Sequence, residues 1–147
     1  MRKIQHAFLI DDDAVINMIN TRVIQLSKLA VKVSSVTDAK EALDILKEIA
    51  VSDPDTFPEI IFLDINMPDI DGWDFLTEFL KFPEYFLHRS SVVMLTSSID
   101  LFDIRKAKTY SIVSDYIVKP LNSKLLGMLG SPKHKYFGLC QFAVQEI

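Results

Sequence analysis

The sequence predicts an α/β fold in which helices flank both faces of a doubly wound, five-stranded parallel sheet. Three observations predict it. Four short runs rich in Ile, Val and Phe are each cut off by a polar group: Phe8, Leu9 and Ile10 by Asp11, Asp12 and Asp13; residues 60–63 by Asp64; residues 92–95 by Thr96; and residues 116–118 by Lys119 and Pro120. Such runs read as strands buried on both faces of a parallel sheet. Segments of helical period separate them, and strand–helix alternation without an internal repeat implies right-handed crossovers. Finally, 147 residues with a 49% apolar share suffice for one domain with a proper core and are too few for two ordinary ones.

The elements follow in order. After the first strand, residues 14–26 place Val15, Ile16, Met18, Ile19, Val23, Ile24 and Leu26 at near-helical spacing, with Asp13 as the N-cap. Residues 31–36 alternate and are β-branched, which predicts a second strand. Asp38 with Glu41 offers a capping box for a helix running to about residue 50. Two prolines and two aspartates make residues 51–58 a loop before the Asp64 strand. A third helix spans 72–82, with Trp73, Phe75, Leu76, Phe79 and Leu80 mostly inward and Pro83 as its stop. Residues 99–110 and 122–129 complete five strand–helix repeats. Gly127, Gly130 and Pro132 break the fifth helix early, so the domain is expected over 1–130 and an apolar tail without clear period over 131–147.

Bulk properties exclude several classes. A net charge of −4 gives no basic footprint for nucleic acid. No apolar stretch approaches the roughly eighteen residues of a membrane helix, and the first run is ended by three aspartates, so neither an anchor nor an export signal is expected. A lone cysteine, Cys140, cannot form an internal disulfide, and the cytoplasm is the expected compartment.

In open α/β sheets ligands sit at the carboxyl ends of the strands. That rule gathers Asp11, Asp12, Asp64, Thr96 and Lys119 into one crevice. Two carboxylates about 4 Å apart repel by roughly 4 kcal/mol at an effective dielectric near 20, a cost that a divalent cation removes. Oxygen donors suit Mg²⁺, which also accepts a phosphate oxygen. Asp64 is the best placed nucleophile toward phosphorus, and Gly72 after it can take the positive φ of a tight loop. Thr96 and Lys119 can hold the remaining phosphoryl oxygens. Asp13 by itself reads as a helix cap.

The string Asp64-Ile65-Asn66-Met67-Pro68-Asp69-Ile70-Asp71-Gly72, with Asp11 and Asp12 before it and Thr96, Lys119 and Pro120 after it, closely resembles the receiver domain of two-component response regulators, of the stand-alone chemotaxis type. The resemblance covers about residues 3–129 and implies a flavodoxin-like sheet of order 2-1-3-4-5. It implies that Asp64 is the phosphoacceptor and that Asp11 and Asp12 bind Mg²⁺ (Mn²⁺ substituting), together with Asp64 and the backbone carbonyl of Asn66. It casts Thr96 and Tyr116 as a switch pair, Tyr116 turning inward after Thr96 moves. Lys119 becomes the phosphate-binding lysine with a cis bond to Pro120. Pro68, Gly72 and the small Ser97 support the site, Ser97 leaving a path for donor and water. The partners implied are a sensor histidine kinase or phosphotransfer protein and a downstream protein. A homodimer through the fourth helix, fifth strand and fifth helix is also implied, although the short fifth helix departs from the family pattern.

Two other readings compete. A haloacid-dehalogenase-type phosphatase would use Asp11 and Asp13 but wants a later acidic pair that the sequence lacks. A phosphorylation-independent binding module of the same fold is expected to have lost an acid or the lysine, and all are present. His6, His88 and His134 are scattered and read as ordinary surface residues, without support for a histidine phosphotransfer module. Trp73 and Phe75 are expected to pack near the site, Trp73 serving as a fluorescence reporter.

Overall fold

Why near-continuous apolar runs form the strands is visible in the computed structural model, which describes residues 4–129. Five strands, β1 (Ile4–Ile10), β2 (Ala30–Val36), β3 (Ile60–Leu63), β4 (Ser91–Thr96) and β5 (Val113–Val118), pair in parallel in the order β2-β1-β3-β4-β5. Within β3, Ile61 and Leu63 join the core on one face of the sheet and Ile60 and Phe62 the core on the other, so a period-two element needs no polar positions. Both the parallel pairing and the strand order agree with the sequence expectation. The tail expected over 131–147 lies outside the described residues.

Helices α1 (Ala14–Ser27) and α6 (Ser123–Met128) pack on one face through Ile24, Leu126 and Leu129. Opposite them lie α2 (Ala39–Ser52), α3 (Gly72–Phe79), α4 (Glu84–Arg89) and α5 (Leu101–Lys108), which contribute Leu43, Leu46, Phe75, Phe79, Phe86 and Ile104. Side-chain caps start most of them: Asp13 on the amides of Val15 and Ile16, Asp38 on Glu41, Asp100 on Phe102, and Asn122 on Leu125. At Asp38 the side chain bonds the Glu41 amide, which is one half of the capping box expected there. A full reciprocal box forms at α3 between Asp71 and Asp74.

Three expectations are corrected. First, the loop expected over 51–58 is partly helical: α2 continues to Ser52, and Pro54–Thr56 forms a 3₁₀ turn, proline being at home in a first helical turn. Second, α3 ends three residues short of Phe82, because the amides of Lys81 and Phe82 bond carbonyls three residues back and tighten the chain. Third, α4 was not foreseen. Its Glu84 opens the first turn and His88 and Arg89 close the last, matching the helix dipole, and Phe86 anchors it 4.6 Å from the Phe57 ring. Helix α1 forms as expected but buries two polar residues within its apolar period. Asn17, Asn20 and Ile24 are buried, whereas Val15, Met18, Ile19 and Leu26 are exposed.

Candidate functional site

Backbone pairing at the strand ends assembles the site. The amide of Asp11 donates to the Val36 carbonyl (3.2 Å), that of Asp64 to Ile10 (3.0 Å) and that of Lys119 to Thr96 (2.9 Å). Asp11, Asp64 and Lys119 are thus each locked to the end of the neighbouring strand, and the sheet order makes them converge. Carboxylate oxygens of Asp11, Asp12 and Asp64 lie within 4.8 Å of one another, Asp11 and Asp64 buried and Asp12 exposed at the rim. Lys119 reaches in from beyond β5, its Nζ 2.5 Å from Asp11 Oδ2 and 3.4 Å from Asp64 Oδ2.

Electrostatics follow from this crowding. Burial, with the charge of Asp11 added, pushes the Asp64 carboxyl above its ordinary value against the opposing pull of Lys119 and Thr96. Burial alone would lower Lys119, but its hydrogen bonds and charge contacts with Asp11 and Asp64 outweigh that and hold its ammonium above the usual range. Asp11 Oδ2 is buried and takes the Lys119 ammonium as its ion-pair partner. Three carboxylates whose oxygens converge in this way are what a hard divalent cation coordinates. The donor set therefore fits Mg²⁺.

Other predicted residues fall around this centre. Thr96 is fully buried, and its hydroxyl accepts from the Ser98 amide at 3.3 Å. Ser97 is exposed beside it, as are Asn66, Pro68 and Pro120, and the bond between Lys119 and Pro120 is cis. Tyr116, expected to turn inward in response to phosphorylation, already lies inward, fully buried with its hydroxyl donating to the Ser98 carbonyl at 3.0 Å. Asp13 caps α1, and its amide donates to Asp11 Oδ1 at 2.9 Å.

Gly72 corrects an argument. Positive φ in the loop after Asp64 belongs to Asp69 (66°) and not to Gly72. What demands glycine is close approach: a Cβ at position 72 would sit 2.5 Å from the Asp64 carbonyl oxygen and 2.9 Å from the Ile65 Cα. The Gly72 amide also donates to the Ile65 carbonyl at 2.8 Å, which ties the start of α3 to the residue after Asp64.

Residues 7–128 match the family model for the response regulator receiver domain. The chain belongs to that family. Receiver domains are signalling domains that bind Mg²⁺ at an acidic pocket, and Asp11, Asp12 and Asp64 form a cluster that could hold a metal. A two component response regulator from Cytophaga hutchinsonii shares the fold at a TM-score of 0.80 with 36% identity, over 87% of this chain and 95% of that one. Protein PilG of Pseudomonas aeruginosa is 40% identical over 96 residues, covering 64% of this chain and 65% of PilG. A probable transcriptional regulator, ycf27 of Porphyridium aerugineum, is 34% identical over 119 residues, and this receiver spans 43% of its length.

Three features escaped the sequence reading. His6, taken for a surface residue, is buried in β1, where its Nδ1–H donates to the Thr56 carbonyl (2.8 Å) and its Nε2 accepts from the Ser34 hydroxyl (2.9 Å). Trp73 of the receiver is stacked on Tyr110 at 5.8 Å with the Lys106 ammonium 4.7 Å from its ring centre. Asn17 is bound to the backbone beneath the acids. An Asn inside an apolar helical period was the signal available for it.

Proposed function

We propose that this receiver takes a phosphoryl group from a phosphohistidine of a sensor histidine kinase or phosphotransfer protein onto Asp64 and signals through a phosphorylation-switched surface to a partner protein. The observation that carries the reading is the convergence of Asp11, Asp12, Asp64 and Lys119 at the carboxyl end of the sheet. In the transfer, one Asp64 oxygen bonds to phosphorus as the phosphorus–nitrogen bond of the donor breaks, leaving an acyl phosphate and a neutral imidazole. Water then attacks phosphorus, releasing phosphate and restoring the carboxylate. Asp11, Asp12, Asp64 and the carbonyl of Asn66 would hold Mg²⁺ or Mn²⁺, which when bound supplies counter-charge to the transferring oxygens.

Lys119 pairs with Asp11 and Asp64 and is within reach of the oxygens that would arrive on Asp64. The Thr96 hydroxyl is the neutral donor for another. Thr96 and Tyr116 are both linked to Ser98, the residue leading into α5, so a pull on Thr96 is felt at α5, β5 and α6. That surface is where a downstream protein, or a second copy of the chain, would read the state. The reading places the receiver in residues 1–130 and the protein in the cytoplasm.

Intact mass after incubation with Mg²⁺ and acetyl phosphate, for the wild type and Asp64→Asn, tests the proposal. The expected result is one Mg²⁺-dependent phosphoryl adduct on the wild type only, lost again with time. Absence of any adduct would favour the binding module. Rapid donor hydrolysis surviving the Asp64 change would favour a phosphatase.

A further inference from the structure

Asn17 is 3% exposed, on the inward face of α1 where an aliphatic residue would be ordinary. Its Nδ2 uses both protons on backbone carbonyls, that of Asp11 at 2.9 Å and that of Val36 at 3.0 Å. The Val36 carbonyl also accepts from the Asp11 amide at 3.2 Å. The main chain of Asp11 is therefore gripped on both sides, its N–H by the end of β2 and its C=O by α1. The C=O of Asp11 defines the peptide plane entering Asp12, and hence the direction in which Asp12 leaves the backbone. The bond from the Asp13 amide to Asp11 Oδ1 then fixes the Asp11 carboxylate and leaves Oδ2 to the Lys119 ammonium.

The other end of the carboxamide is informative as well. Asn17 Oδ1 is buried and has no hydrogen-bond partner, an orphan acceptor that leucine would avoid. Packing alone thus disfavours asparagine here, and what it supplies is the pair of donors. We propose that Asn17 is a positioning residue for cation binding: by clamping the Asp11 carbonyl to the β2 end it holds Asp11 and Asp12 in the geometry that coordinates the divalent ion. The proposal rests on reading the site as Mg²⁺-dependent. Residues that orient ligands in this way typically account for about 10–100-fold in metal affinity.

The test is a Mg²⁺ titration of the full chain followed by two-dimensional amide NMR, with Asn17→Leu and Asn20→Leu compared with the wild type. Asn20, equally buried at 4% and one turn further along the same face, receives the same chemical change farther from the acids. Expected is a weakening of Mg²⁺ binding by about 10–100-fold for Asn17→Leu, with Asn20→Leu close to the wild type and both variants unfolding cooperatively. Asn17→Leu binding Mg²⁺ like the wild type, or Asn20→Leu losing as much affinity, would overturn the positioning role and leave the phosphoacceptor reading standing. A wild type blind to Mg²⁺ would overturn both. If Asn17→Leu does not fold, Asn17→Ala takes its place under the same criteria.

Discussion

Gly72→Ala puts opposite physical expectations on one methyl group. Position 72 is the first residue of α3, and alanine is the better helix former by up to about 1 kcal/mol, so propensity alone predicts stabilisation. Space predicts the reverse. The added Cβ would lie 2.5 Å from the Asp64 carbonyl oxygen, 2.9 Å from the Ile65 Cα and 3.2 Å from the Asp64 carbonyl carbon, all backbone atoms with no rotamer to yield. Ordinary contact requires α3 and the end of β3 to separate by about 1 Å, which strains a packed core by about 1–3 kcal/mol. The 2.8 Å bond from the Gly72 amide to Ile65 is lost with it, a further cost of about 1 kcal/mol. Set against a propensity gain of up to about 1 kcal/mol, the net loss is about 1–4 kcal/mol, and at roughly 4 °C per kcal/mol for a domain of this size Tm should fall by about 4–16 °C in thermal unfolding followed by far-UV circular dichroism. An unchanged or raised Tm would refute the close-approach argument and leave propensity in charge. Because the atoms pushed belong to Asp64 itself, the phosphoryl adduct seen by intact mass should also form more slowly in this variant.

Three other perturbations give distinct signatures. Burial raises the Asp115 carboxyl to about 7 against the opposing bond from the Tyr116 amide; the folded chain therefore keeps it protonated where the unfolded chain has ionised it, and stability is lost as pH rises from near 4 to about 7. Asp115→Asn should flatten that slope in urea unfolding across pH and be more stable than the wild type at about pH 8. His6 is shifted the other way: burial lowers it below 6.5, with the Thr56 bond opposing, so its contribution is present above pH 6.5 and lost as pH falls below it, a loss that His6→Gln should remove from the same pH series. Lys119→Ala separates binding from chemistry, since removing one positive charge about 5 Å from a divalent site at a dielectric near 80 is worth roughly 1–2 kcal/mol. Mg²⁺ should bind about tenfold tighter by NMR titration while the adduct forms more slowly, and weaker Mg²⁺ binding would count against the lysine as a competing cation.

Elements whose chemistry changes sharply along the chain were legible in the sequence. Apolar runs stopped by Asp64, Thr96 or Lys119 announce both a buried strand and its functional end, because the parallel sheet demands the first and the topology supplies the second. Less legible were facts about which face turns inward. The period of Val15, Ile16, Met18, Ile19, Val23, Ile24 and Leu26 marks a helix correctly, yet four of these residues are exposed while Asn17 and Asn20 are buried. Periodicity reports a repeat and not its direction, and the direction here is set by carbonyls of Asp11 and Val36 that lie under α1. Helix α4 was hidden for a different reason: its six residues are too few to show a period. Its place is decided by contacts distant in sequence, Phe86 on Phe57 and Arg89 on the Asp55 carbonyl.

The two kinds of legibility meet at the acids. Carboxylate positions can be read from the chain because charge at a strand end is conspicuous, but three acids in one crevice have a low-energy arrangement only if something holds them against their own repulsion. Lys119 offsets part of it through Asp11 and Asp64, and the grip on the Asp11 backbone from Val36 and Asn17 resists the remainder mechanically. A charge can be replaced by a cation from solution, whereas a backbone clamp cannot. Loss of Lys119 and loss of Asn17 should therefore move Mg²⁺ affinity in opposite directions, the first tightening and the second weakening it. A shared direction would mean that the site responds to the two changes only through general loosening of the fold.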